Sequence, residues 1–191
     1  MRLTELAQSA VREVLGAGEL AIDATAGNGH DTLFLARTVG PGGIVWACDL
    51  QEGAITATRA LLALESQSHV RLCCDDHACL SSHLPAEARG RIGAVMFNLG
   101  YLPGGDKAVT TAPRSTRAAL ESLWEFIRPG GILTILAYPG HAGGEEESRR
   151  VDDFSASLRE GGHDVTIHVG PPGKSPSPRL TVIRRSTTQP Q

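Results

Sequence analysis

Apolar positions in this chain gather into short unbroken runs, and the runs alternate with stretches in which apolar residues recur at helical spacing. The runs at 20–24, 44–48, 69–73, 94–98, 132–138, 164–169 and 180–184 have strand length. Helical spacing covers 31–39, 54–65, 111–127 and 145–160, and Pro129, Gly130 and Gly131 are expected to stop the third of these helices. The first twenty residues read as an amphipathic helix rather than as a signal peptide. Strand alternating with helix predicts an α/β fold, a seven-stranded and mostly parallel sheet with helices on both faces.

Composition narrows the picture. A chain of 191 residues with 41% hydrophobic content fills one sizeable core, so one domain is expected over 1–185, followed by a flexible tail at 186–191. Proline and glycine crowd 170–179, which predicts a loop between the last two strands. No stretch approaches the roughly 18 apolar residues of a membrane span, so a cytoplasmic protein with no membrane partner is expected. Cys48, Cys73, Cys74 and Cys79 form no even disulfide framework and fit a reducing compartment. The spacing of Cys73, Cys74, His77 and Cys79 matches no common zinc pattern, and no metal is expected.

The formal net charge of −3 excludes nucleic-acid binding through a global positive field. An RNA partner would have to meet a local patch. The two lysines are Lys107 and Lys174, and the remaining positive charge is arginine, including Arg114, Arg117, Arg179, Arg184 and Arg185.

The first chemical signal is the segment from Asp23 through Thr25, Gly27, Asn28, Gly29, His30 and Asp31 to Thr32, which follows a predicted strand and opens a predicted helix. Glycine lets a ligand approach the backbone there, and a helix start offers free amide donors, as at a nucleotide site. Asp49 ends the next predicted strand, where a carboxylate accepts from both hydroxyls of a ribose. Dinucleotide dehydrogenases share that plan, but the third glycine of their fingerprint is missing, and Asp23 and Asp31 flank the turn. Such carboxylates repel a pyrophosphate and attract the amine and sulfonium of S-adenosylmethionine. Either Asp75 or Asp76, after the third strand, would meet an adenine amino group.

A second polar segment, running from Asn98 through Leu99, Gly100 and Tyr101 to Lys107, closes the fourth predicted strand. In an open parallel sheet the carboxyl ends of central strands share one crevice, so Asn98 and Tyr101 should face the glycine turn. Asn-Leu-Gly-Tyr resembles the Asn/Asp-Pro-Pro-Tyr motif of amino methyltransferases, in which the Asn side chain and the following carbonyl accept hydrogen bonds from the target amine. The aromatic ring would stack on a planar base. His141, after the fifth strand, is a candidate proton acceptor.

Together DATAGNGHDT, MFNLGYLPGGDK and YPGHAGGEE resemble the YtqB-like family, which carries the label rRNA methylase and is associated with MnmM-type tRNA methyltransferases. The resemblance runs from about residue 21 to 183. It implies a Rossmann-like class I methyltransferase fold, S-adenosylmethionine as cofactor, and methylation of the exocyclic amine of 5-aminomethyl-2-thiouridine at the tRNA wobble position. By motif, Asp23, Gly27, Asn28, Gly29, His30, Asp31 and Asp49 carry over to the cofactor, and Asn98, Tyr101 and His141 to the substrate side. Thr25, Thr32, Gln51, Asp76, His77 and Asn98 itself complete the expected cofactor surroundings. The implied partner is a tRNA anticodon loop, with Lys107, Arg114, Arg117 and Lys174 contacting phosphates, and a homodimer would extend that surface. The alternative substrates are rRNA and a small-molecule amine.

Overall fold

The computed structural model describes residues 2–100, 110–140, 143–172 and 176–188. The elements are α1 (Leu3–Arg12), β1 (Leu20–Asp23), α2 (His30–Val39), β2 (Ile44–Asp49), α3 (Glu52–Leu64), β3 (Val70–Cys74), β4 (Ile92–Leu99), α4 (Pro113–Trp124), β5 (Ile127–Ala137), α5 (Gly144–Glu160), β6 (Asp164–Val169) and β7 (Arg179–Arg184). Two short 3-10 segments, His77–His83 and Ala86–Ala88, link β3 to β4.

All seven strands form one sheet in the order β3-β2-β1-β4-β5-β7-β6. The strands from β3 across to β5 pair in parallel, while β7 runs antiparallel to both of its neighbours. The side-chain period of a strand explains the unbroken apolar runs. Ala21, Val45, Ala94, Met96, Ile132 and Val182 pack under α1, α2 and α3, whereas Ile22, Trp46, Val95, Phe97, Leu133 and Ile183 pack under α4 and α5. Successive residues thus enter opposite cores, so these strands are apolar along most of their length, with Thr134 and Thr181 as buried polar exceptions. The chain leaves β1 toward β3 on one side and returns to β4 on the other. This reversal opens a crevice at the carboxyl ends of β1 and β4, where Asp23 and Asn98 stand.

One expectation fails. Helix α4 ends at Trp124, and Pro129, Gly130 and Gly131 lie inside β5 instead of stopping the helix. Phe126 and Ile127 are drawn into the core beside β4, where the Ile92 N–H donates to the Phe126 carbonyl at 2.9 Å. The Pro-Gly-Gly run is taken up by a register slip between Ile92 and Ala94. Gly130 there has φ +72°, and a Cβ on Gly131 would sit 2.7 Å from the Ile127 side chain. Among the described residues no helix is long and apolar enough to cross a membrane.

Candidate active site

The turn after β1 is fastened to β2 and to α3. The Ala26 N–H donates to the Cys48 carbonyl at 2.8 Å, and the Gly27 N–H donates to Asp49 Oδ2 at 2.9 Å. Thr58 of α3 donates from Oγ1 to the Gly27 carbonyl at 3.1 Å. Gly29 caps α2 with φ +83°, and a Cβ at that position would lie 3.0 Å from Thr58 Cα, so both the backbone conformation and the α3 contact require glycine. Among the described residues no side chain caps α2.

Two carboxyls converge behind and beside this turn. Asp23 is buried and accepts from the Thr25 N–H at 3.1 Å and from Thr32 Oγ1 at 2.6 Å. Burial, reinforced by the nearby Asp31 charge, raises its carboxyl to about 7 despite those two bonds. Burial also raises Asp31, opposed by the hydrogen bond from the Gln8 side chain and by His30. Gln8 Nε2 reaches Asp31 Oδ1 from α1 at 2.8 Å. The Asn98 backbone is tied to the same turn, its N–H donating to Thr25 Oγ1 at 2.7 Å.

The opposite wall comes from β2, β3 and α4. Asp49 Oδ1 accepts from the Gln51 N–H at 2.9 Å, so each carboxylate oxygen of Asp49 is oriented by a backbone amide. Asp76 Oδ1 accepts from the Ala78 N–H at 2.9 Å and from Ser115 Oγ at 2.6 Å. His77 lies behind it, buried, with Nε2 at 2.9 Å from Ser115 Oγ and its ring edge-on to Phe97 at 5.7 Å between centroids. Burial lowers the His77 pKa, so its neutral ring donates to Ser115, which donates in turn to Asp76. Asp75 points elsewhere. Its carboxylate binds His83 at 2.8 Å, which holds Asp75 below and His83 above their ordinary pKa values.

These walls enclose a cavity of about 730 Å³. Among the residues expected from sequence, Thr25, Gly27, Asn28, His30, Asp31, Asp49, Gln51, Asp76, His77 and Asn98 line it, while Asp23, Gly29 and Thr32 stand behind the wall. Of the pair left open by the sequence, Asp76 and not Asp75 is on the wall. Tyr101, His141, Lys107 and Lys174 lie outside the described residues. Arg114 is exposed beside the lining residue Ser115, whereas Arg117 is engaged by Glu121 at 2.6 Å and lies over the Phe154 ring.

Sequence reasoning missed several contributors. Thr111, Ser115 and Pro171, together with the segment 176–178, also line the cavity. Glu147, buried in α5, accepts from Thr111 Oγ1 at 2.8 Å and Thr116 Oγ1 at 2.6 Å. Thr111 in turn bonds Gly100 through both its amide and its hydroxyl, closing the base of the segment that follows Asn98. The only hint was the acidic first turn of α5, with Glu145, Glu146 and Glu147 in succession.

A sheet that reverses at β1, an acid-flanked glycine turn and a cavity at the carboxyl ends of the strands define a Rossmann-like methyltransferase fold. The chain belongs to the family described as "Putative rRNA methylase", whose model matches residues 45–184. It is 38% identical over 166 residues to the "tRNA (mnm(5)s(2)U34)-methyltransferase, chloroplastic" of Arabidopsis thaliana, covering 82% of this chain and 60% of that protein. The chain therefore spans less than two thirds of that relative's length. A "putative rRNA-methylase" from Clostridium thermocellum superposes with a TM-score of 0.89 at 32% identity, over 96% of this chain and 97% of that one. SMU.1697c, a "putative methyltransferase" from Streptococcus mutans in complex with SAH, gives 0.81 at 33% identity, over 96% and 98% of the two chains.

Proposed function

We propose that this protein is an S-adenosylmethionine-dependent N-methyltransferase that converts 5-aminomethyl-2-thiouridine at the tRNA wobble position to 5-methylaminomethyl-2-thiouridine. The observation that carries the reading is Asn98, tied by its backbone to the glycine turn, on the wall of one cavity with Asp31, Asp49 and Asp76. The name of the Arabidopsis thaliana relative supports the substrate, and the SAH complex of the Streptococcus mutans protein supports the cofactor.

The residues present fit that cofactor. Asp49 uses one lone pair on each oxygen for Gly27 and Gln51, and an ionised carboxylate has about four acceptor sites, which leaves capacity for two ribose hydroxyls. Asp76 is placed to accept from an adenine amino group, and the raised carboxyls of Asp31 and Asp23 form a site that a cationic amine and sulfonium would relieve. When bound, S-adenosylmethionine supplies an electrophilic methyl group for in-line displacement.

The chain's own task is to deliver a neutral amine. An alkylamine with a pKa of about 10 is protonated at neutral pH, and deprotonating it costs about 4 kcal/mol. Asn98 Oδ1 is the acceptor that would orient the nitrogen lone pair, and Tyr101 and His141 join it as stacking and proton-accepting groups. Holding two reactants in line is worth roughly 7 to 11 kcal/mol, more than that deprotonation costs, so positioning is the larger contribution. Arg114 supports contact with an anticodon-loop phosphate. A homodimer would widen that surface, and sedimentation with and without tRNA tests it. We read residues 1–185 as one domain, because both cores run under the same sheet from α1 to β7. The four free cysteines support a cytoplasmic location.

The decisive experiment is mass spectrometry of nucleosides from tRNA bearing 5-aminomethyl-2-thiouridine after incubation with protein and S-adenosylmethionine. Gain of one methyl on that nucleoside, lost in Asn98→Ala, is the expected result. The family description favours rRNA as a second reading. Methylation of rRNA with tRNA unchanged would replace the first by the second.

A further inference from the structure

Glu147 is an acid of α5 that is only 1% exposed, and its partners are two threonine hydroxyls. Thr111 Oγ1 donates to Oε2 at 2.8 Å and Thr116 Oγ1 to Oε1 at 2.6 Å, and among the described residues no cation pairs with it. Burying such a group is costly, and an apolar side chain of similar volume often serves packing as well. Its bonds, however, reach the site.

A hydroxyl carries one hydrogen and two lone pairs. Thr111 spends its hydrogen on Glu147, which leaves a lone pair for the Gly100 N–H, 3.0 Å away. The Thr111 N–H donates to the Gly100 carbonyl at 2.9 Å, so Gly100 is held at both of its polar groups. This clamp stands where the sheet stops. Pairing of β4 with β5 reaches as far as Leu99 and Ala137, and Gly100, at φ +142°, has left strand geometry. The final pairs of a ladder open most readily, because they have neighbours on one side only. Asn98 stands in the last pair but one, with its N–H on Thr25. Thr25 therefore secures Asn98 toward the turn after β1, while Thr111 and Glu147 secure the strand just beyond it.

We propose that Glu147 is a positioning residue for methyl transfer: by orienting the Thr111 hydroxyl it clamps Gly100 and keeps Asn98 in place at the end of β4. The inference rests on the reading of Asn98 as the amine acceptor. It gives α5 a part in the reaction although Glu147 itself does not line the cavity.

The test uses the full chain and two readouts. The first is hydrogen exchange of the Gly100 amide, followed by nuclear magnetic resonance without substrate. Exchange should speed up about tenfold or more in Thr111→Val, which keeps the shape and removes the acceptor, and in Glu147→Met, which keeps the length and frees the hydroxyl hydrogen. Thr111→Ser should restore most of the protection. The second readout is single-turnover methyl transfer at saturating cofactor and substrate, on protein shown by denaturation to be folded. Thr111→Val and Glu147→Met should each lose about tenfold, with the S-adenosylmethionine Kd of Thr111→Val within about twofold, and Thr111→Ser should recover most of the loss. Because the two residues act as one unit, the double variant should be no more than about twofold slower than the slower single one.

A packing role would slow the serine and valine variants alike, or make the two single losses multiply, and either result overturns the inference. Should Glu147→Met fail to fold, Glu147→Asp, which withdraws both oxygens by one methylene, takes its place with the same expectations. A wild type that methylates no amine overturns the reading of Asn98, and this inference with it. An active wild type whose Gly100 exchange or rate is unmoved by the Glu147 variant overturns the inference alone.

Discussion

The backbone N–H of Asn98 donates to Thr25 Oγ1 at 2.7 Å, joining the end of β4 to the turn after β1 across 73 residues of sequence. This bond sets the distance between the side that would hold cofactor and the side that would hold substrate. Thr25→Val keeps the shape of the side chain and removes the acceptor. It should lower the single-turnover rate about 10- to 100-fold, since small misplacements of a reacting group cost that much, while Thr25→Ser stays near wild type. Stability should fall by about 1 kcal/mol in chemical denaturation. Equal rates in the valine and serine variants would show that the bond does not set the reaction geometry.

Orientation should matter more than proton transfer here. Asn98→Ala is accordingly expected to lower the single-turnover rate more than His141→Ala does, with cofactor Kd unchanged in both. Rapid-quench measurement of methyl transfer ranks the two directly, and the reverse order would make proton removal the larger contribution.

Most of the fold is legible in the sequence, because strands sandwiched between two cores are apolar at most positions, and Ala94 to Phe97 illustrates this by sending alternate residues to opposite faces. Pro129-Gly130-Gly131 misled because such a run usually ends a helix, whereas here the burial of Phe126 and Ile127 pulls it into β5. In the site, the glycine turn is legible because it packs its polar residues into ten consecutive positions, and Asn98 is legible because it ends β4 beside that turn. Gln8, Ser115 and Glu147 are not, because each finds its partner 23 to 39 residues away, through tertiary packing alone. Three successive glutamates open α5, and the face each presents to the protein selects Glu147 as the buried one.

Gly29→Ala is expected to destabilise the protein by about 1–3 kcal/mol, because alanine is strained at φ +83° and its Cβ would press on the α3 backbone at Thr58. The same change should weaken S-adenosylmethionine binding by shifting the start of α2. Denaturation and calorimetric titration of one preparation check both effects. Gly53→Ala is the control, since nothing lies within 4 Å of a Cβ at Gly53.

Proton linkage gives the most direct test of the carboxyl pair. Burial first, then the Asp31 charge, raises Asp23 from 3.8 to about 7, against the bonds from Thr32 and Thr25. A folded-state pKa above the unfolded value means that this group's contribution is fully present below pH 3.8 and is lost as pH rises through about 7. Relative to Asp23→Asn, the wild type should therefore lose stability across that interval. A cationic ligand beside the pair favours the charged carboxylates, so binding of S-adenosylmethionine near pH 7 should release a fraction of a proton and strengthen as pH rises. Titration calorimetry in buffers of different ionisation enthalpy counts the protons. S-Adenosylhomocysteine, which keeps the amine and lacks the sulfonium charge, should release fewer, and Asp23→Asn should remove most of the release. An enthalpy that is the same in every buffer for both ligands would mean that the carboxyls keep their protons when the site is filled, and that the acid pair does not hold the charged end of the cofactor.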